Sequence, residues 1–168
     1  FTTAGQVLQG GKIVLNMPDL GAGMQSMWDF ETPVIDFTTP SSGALSAATV
    51  SFSSEIRALT VTIAGAAMAQ ETQHVFTITN VRTPSSITQS RNVVVATQDS
   101  LSKTIDTTST CTTDVINRGT LLDASFSPAT GTPAFTSVAT VAFTTAGRVN
   151  VNGTVVLVLP QVQQDQNT

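Results

Sequence analysis

The sequence predicts an all-β protein: an antiparallel two-layer β-sandwich, immunoglobulin-like, that comes from a tandem array. Three observations support this prediction. Apolar and polar residues alternate in several short segments, no segment has a helical period, and one motif occurs twice. A closed barrel is the alternative architecture. With 168 residues, the chain is long enough to bury a core without disulfides.

The strand pattern is clearest near the beginning of the chain. Residues 11–18 place Ile13, Leu15 and Met17 on one face and end at a proline, which is typical of a half-buried strand. Residues 47–53 and 59–63 alternate in the same way and predict a hairpin. Further strands are predicted at residues 74–81, 92–97, 103–107 and 135–142. A loop is predicted from Pro84 onward.

The repeated motif is the most informative feature. Residues 1–18 recur as residues 143–160 without a gap, and both copies begin Phe-Thr-Thr-Ala-Gly and end in proline. The offset is 142 residues, which is the size of a domain, so the chain is predicted to be one period of a tandem array and the opening of the next. We therefore expect a sandwich repeat at residues 1–134, beginning inside the repeat.

Residues 135–168 are expected to be the opening strands of the next repeat or a strand-exchange segment. Residues 135–142 precede the second motif copy, and their counterpart before Phe1 lies outside the sequence. Two arrangements satisfy the chemistry of an incomplete sheet. Residues 135–160 either fold back onto their own sandwich or enter the following copy, and we favour the second.

The composition excludes several classes of function. Charged residues make up 11% of the chain and the net charge is −4, while the seven basic residues are scattered singly. Such a surface has no basic patch that could bind nucleic acid. The 29 threonines and 16 serines are expected to cover the surface with neutral hydroxyls. No apolar stretch approaches the ~20 residues that span a bilayer, so no membrane span is predicted in this segment.

Residues that could support catalysis or bind a metal are few. His74 is the only histidine, and no nucleophile elbow is present, so we expect no enzyme activity, no catalytic residue and no cofactor. A single cysteine, Cys111, excludes an intrachain disulfide, and a buried unpaired thiol is favoured over pairing with another chain. Four acids could attract calcium, but solvated loop acids are favoured and no metal site is predicted: Asp19, Asp29, Glu31 and Asp36.

Two surface features remain as candidate sites. Asn152 begins the chain's single Asn-x-Ser/Thr sequon and is the glycosylation candidate; Asn152-Gly153 also predicts a type I′ turn with positive φ at both residues. A group of large apolar residues in one loop predicts either an exposed partner surface or a plug at one end of the sandwich. Its members are Met24, Met27, Trp28 and Phe30.

Three segments carry a resemblance to a known family: residues 59–63, residues 76–84, and residues 94–99 followed by 104–106. They resemble a Thr-rich tandem β-sandwich repeat, immunoglobulin-like, of giant secreted or cell-surface proteins of algae, protists and bacteria. The resemblance covers most of residues 1–107 and 135–160. It implies a structural or adhesive module of a coat, filament or ciliary surface, with no enzymatic activity.

The expected function is therefore that of a structural module in a long extracellular or cell-surface protein. It would act as a spacer and assembly unit of a coat or filament, and its partners would be neighbouring copies of the same repeat. Strand exchange is one way to join them. The alternative is an adhesin-type binding module for carbohydrate or surface partners, with glycans as ligands and the loop around Trp28 as the contact site.

Overall fold

A computed structural model describes residues 1–21, 28–39, 47–149 and 151–159. In these ranges the protein is all-β, which confirms the predicted class, and no helix is long and apolar enough to cross a membrane. The strands are β1 (Lys12–Asn16), β2 (Asp29–Phe30), β3 (Ile35–Thr39), β4 (Thr49–Ser53), β5 (Ala58–Thr62), β6 (Val75–Ile78), β7 (Val81–Arg82), β8 (Asn92–Gln98), β9 (Thr104–Thr112), β10 (Leu122–Pro128) and β11 (Ala139–Thr144).

The largest sheet has five antiparallel strands in the order β4-β5-β1-β8-β9. The predicted hairpin is confirmed: β4 and β5 pair in register, with Val50 opposite Val61. Strand β1 lies at the centre, where Ile13 is opposite Val61 on one side and Thr97 on the other. Ile13 and Val61 are fully buried because the period-two alternation points both toward the same face of the sheet.

Two short antiparallel pairs, β3–β6 and β2–β7, accompany the large sheet. The hydrophobic core joins residues of the five-stranded sheet, such as Ile13 and Val95, with Phe37 of β3. Phe76 of β6 packs against the same cluster, and its ring lies 5.3 Å from that of Phe37 between centroids. The apolar face of the five-stranded sheet is therefore covered by the β3–β6 pair.

The chain divides into two compact units, Phe1–Gly119 and Thr120–Thr168. The first contains β1 to β9 and the core just described. The second contains the hairpin of β10 and β11, which is interrupted by a register shift between Leu122 and Ser125. This division lies before the expected boundary at residues 134/135, because β11 pairs with β10.

The structure also differs from the predicted strands in two places. Strands β3 and β10 were not predicted; β3 buries only Phe37 among its five residues, and β10 is exposed throughout, so neither presents a clear alternation. The hairpin expected at residues 149–157 is absent, since the described residues after Thr144 form no strand. Its turn is present but differs in type, as described below.

Candidate functional site

The first residues of the chain extend the β3–β6 pair. Phe1 and His74 exchange two hydrogen bonds: the His74 N–H donates to the Phe1 carbonyl at 2.8 Å, and the N-terminal ammonium donates to the His74 carbonyl at 3.1 Å. Thr2 is bridged to Gln73 in the antiparallel sense. The N-terminal segment therefore lies beside the start of β6, and its direction backward from Phe1 leads along β6.

The backbone groups of β6 point alternately to its two sides. The Thr79 N–H donates to the Val34 carbonyl at 3.0 Å, which places residues 79, 77 and 75 on the side of β3. His74 faces Phe1, so Phe76 and Ile78 direct their N–H and C=O groups to the side of Phe1. Only the bridge at Thr2–Gln73 extends this side, so in the described residues β6 has a free edge at Phe76 and Ile78.

An open groove of about 590 Å³ lies next to this free edge. Phe1, His74 and Phe76 form one wall. The opposite wall belongs to the five-stranded sheet and consists of Leu15, Val95, Thr108, Thr110 and Cys111. The rings of Phe1 and Phe76 meet edge to face with centroids 6.2 Å apart. The groove is thus largely apolar on the side of β6 and lined by hydroxyls on β9.

The N-terminal segment is also fixed to β9. The Asp106 carboxylate accepts hydrogen bonds from the Thr97 hydroxyl at 2.9 Å and from the Gly5 N–H at 3.4 Å. A side chain at Gly5 would meet Ile105 at 2.5 Å, so the close approach requires glycine. These contacts hold residues 1–5 between β6 and β9.

His74 is buried beneath the ring of Phe1, with 1% of its surface exposed. Neither ring nitrogen has a hydrogen-bond partner in the part of the chain that the structure describes. Burial lowers the pKa of His74 below its ordinary value of 6.5; the Ala69 carbonyl acts in the opposite direction, and the positive charge at Phe1 adds to the lowering. The neutral imidazole therefore behaves as an apolar wall residue.

The lowered pKa of His74 predicts a pH-dependent stability. Below pH 6.5 the unfolded chain takes up a proton that the folded chain resists, so stability is full above this pH and falls as the pH drops toward the folded-state pKa. We expect the melting temperature to fall between about pH 7.5 and about pH 5.5, and His74→Phe to reduce this fall. Circular dichroism melts of both proteins across this range test the prediction. An equal slope in the two proteins would assign the pH dependence to other groups.

The second motif copy keeps one backbone feature of the first. In the first copy the Gly11 N–H donates to the Leu8 carbonyl at 2.9 Å, and Gly10 has a φ of 83°, as in a type II turn. Asn152, the equivalent of Gly10, has a φ of 69°. Gly153 is not among the described glycines with positive φ, so the predicted type I′ geometry is wrong. Asn152 is exposed, and its glycosylation stays a prediction.

Strand β11, which leads into this second copy, also has a free edge. The Ala129 N–H donates to the Val138 carbonyl at 2.8 Å, which places residues 138, 140 and 142 on the side of β10. Ala139, Val141 and Phe143 therefore point their backbone groups to the other side. No strand pairs with that side in the described residues, and Val141 is 45% exposed.

The predicted partner surface is only partly described. Met24 and Met27 lie outside the described residues. Phe30 is 7% exposed and packs on Phe52 with ring centroids 4.8 Å apart, so it belongs to the interior. Trp28 is half-buried, and its indole nitrogen has no partner among the described residues. A partner role for this loop stays a prediction, in which Phe30 contributes no exposed surface.

The loop acids and the cysteine are also placed by the structure. Asp29 pairs with Arg82, and Asp19 pairs with Arg57 at 3.4 Å; in the described ranges no three metal-type ligands come together. Cys111 is exposed, so the prediction of a buried thiol is wrong. It lies opposite Val93 on the edge strand β9 and lines the groove, where nothing covers it.

Comparison with known proteins gives no relatives. No family model matches the chain, and no curated protein or solved structure is significantly similar to it. The candidate site is therefore defined by its own geometry: two complementary free strand edges, one at the N-terminal segment and one leading into the second motif copy.

Proposed function

We propose that the chain is a non-enzymatic structural module of a long extracellular or cell-surface tandem-repeat protein. It acts as a spacer and assembly unit of a coat or filament, and each module is an immunoglobulin-like β-sandwich. Covering of the five-stranded sheet by the β3–β6 pair supports a two-layer arrangement. The low charge and abundant hydroxyls suit a surface coat, and the Thr-rich resemblance agrees with this assignment.

One observation carries the proposal: the two motif copies have equivalent turns in separate compact units. The turns at residues 9–10 and 151–152 both place a left-handed residue at the same motif position, Gly10 in one and Asn152 in the other. Their units are Phe1–Gly119 and Thr120–Thr168. A motif that opens one folded body and recurs in the next body along the chain is typical of modules joined in series.

His74 supports the non-enzymatic assignment. A general base must reach the group that it deprotonates, directly or through one water. The His74 ring is 1% exposed, and its nitrogens contact no hydroxyl within hydrogen-bonding distance among the described residues. The residue acts in packing beneath Phe1.

A chain of three consecutive periods tests the proposal. We expect residues 1–142 repeated three times, followed by residues 143–168, to unfold under force in equal steps, one for each complete period. At ~3.3–3.6 Å of extended length per residue, each step should lengthen the chain by roughly 40–50 nm. The chain as given, which holds one period, is the control and should show one such step. Irregular steps, or a single cooperative step for the whole array, would contradict serial modules.

A further inference from the structure

We propose that neighbouring copies of the repeat are joined by strand addition, in which the β11 segment of one copy pairs antiparallel with the free edge of β6 in the next copy. Val141 lies opposite Phe76, and Ala139 lies opposite Ile78. The inference rests on the proposed tandem array and specifies the partner and the register of its joints. Three features of the two edges support it.

The first feature is direction. In an array, residues 139–142 are followed directly by the motif that begins at Phe143, which is the equivalent of Phe1. Phe1 pairs with His74 and Thr2 with Gln73, so each step backward along the chain from Phe1 is a step forward along β6. A strand that precedes the motif therefore runs along Val75–Ile78 without a change of direction.

The second feature is the match of hydrogen-bonding groups. In this register Phe143 takes the place of Phe1 opposite His74, Val141 comes opposite Phe76, and Ala139 comes opposite Ile78. The residues of β11 that point away from β10 are 139, 141 and 143. The residues of β6 that point away from β3 are 74, 76 and 78. Every inward group of one edge therefore meets an inward group of the other, although the two parities come from independent pairs.

The third feature is the chemistry of the two edges. Natural sheets protect exposed edges with charged residues, proline or bulges, because unpaired N–H and C=O groups attract other strands. Neither Val75–Ile78 nor Ala139–Thr144 contains a charged residue or a proline. Residues directly opposite each other share a face, so Val141 would lie on the same face as Phe76, beside the groove. Burial of Val141, now 45% exposed, would add apolar contact to the backbone pairing.

The test adds the sequence of residues 135–142 directly in front of Phe1 in the full chain. We expect amide hydrogen exchange of Phe76 and Ile78, followed by NMR, to slow by about tenfold or more relative to the chain without the addition. Thr77 is the internal reference, because its N–H already faces β3 and its exchange should change much less. Equal exchange rates at Phe76 and Ile78 with and without the addition would overturn the proposal.

Two proline variants of the added segment test the register. Val141→Pro in the added copy removes an N–H that faces β6 and should abolish the protection of Phe76. Thr140→Pro removes an N–H that faces solvent in this protein and should leave most of the protection in place, because proline is tolerated on the outer side of an edge strand. Equal loss in both variants would overturn the register. Equal steps in the force experiment together with unprotected Phe76 would leave the array intact and reject strand addition alone.

Discussion

Gly11→Ala is expected to destabilise the first unit by about 2–4 kcal/mol, since overpacking against rigid neighbours is costly. A Cβ at this position would lie 2.6 Å from Cγ1 of Val7, 2.8 Å from the Gln98 carbonyl oxygen and 2.9 Å from the Leu8 carbonyl oxygen. Two of these atoms belong to the backbone. The Leu8 carbonyl also accepts the Gly11 N–H, so the clash cannot be relieved without opening the turn that starts β1.

Urea unfolding followed by circular dichroism measures this effect. Gly147→Ala is the matched control because no atom lies within 4 Å of the Cβ that it would introduce, and it should change stability by less than about 0.5 kcal/mol. A Gly11→Ala protein as stable as the control would mean that β1 and the Val7 segment are not as close as the structure places them.

The first half of the fold could be predicted because its strands alternate strongly. Strand β1 and the hairpin of β4 and β5 each bury one face, so the period-two pattern of Ile13, Val61 and their neighbours indicates both the strand and its inward side. Strand β10 could not be predicted in this way. All seven of its residues are exposed, and its pairing with β11 depends on the backbone rather than on an apolar face.

The candidate site depends on pairings that sequence patterns do not encode. The motif repeat itself indicated that strands might be exchanged between copies, but not which edge would receive them. That edge follows from the pairing of Phe1 with His74, which are 73 positions apart. Burial of His74 likewise depends on the ring of Phe1, and exposure of Cys111 depends on β9 being an edge strand. These are tertiary consequences of which strands become neighbours.

Ile13→Ala is expected to cost about 2–5 kcal/mol of unfolding free energy, the range for truncating a buried isoleucine. Ile13 is fully buried in the central strand, opposite Val61 and Thr97, so neighbouring strands on both sides restrict collapse around the cavity. Ile13→Val should cost only about 0.5–1.5 kcal/mol, because one methyl group is lost. Urea unfolding of both variants, with an unchanged slope, checks the series. Equal stability of Ile13→Ala and the unaltered chain would contradict the central position of β1.

The repeat supplies a second test of the same position. Val155 is the equivalent of Ile13 in the second motif copy, and here it is 60% exposed. Val155→Ala should therefore change stability by less than about 0.5 kcal/mol in the chain as given. In the three-period chain the residues that follow complete the next module, and the same substitution should remove buried volume and cost about 1–3 kcal/mol in that module alone. The cost of one substitution would then depend on whether the sequence continues, which is expected only if residues 143–160 open a new core.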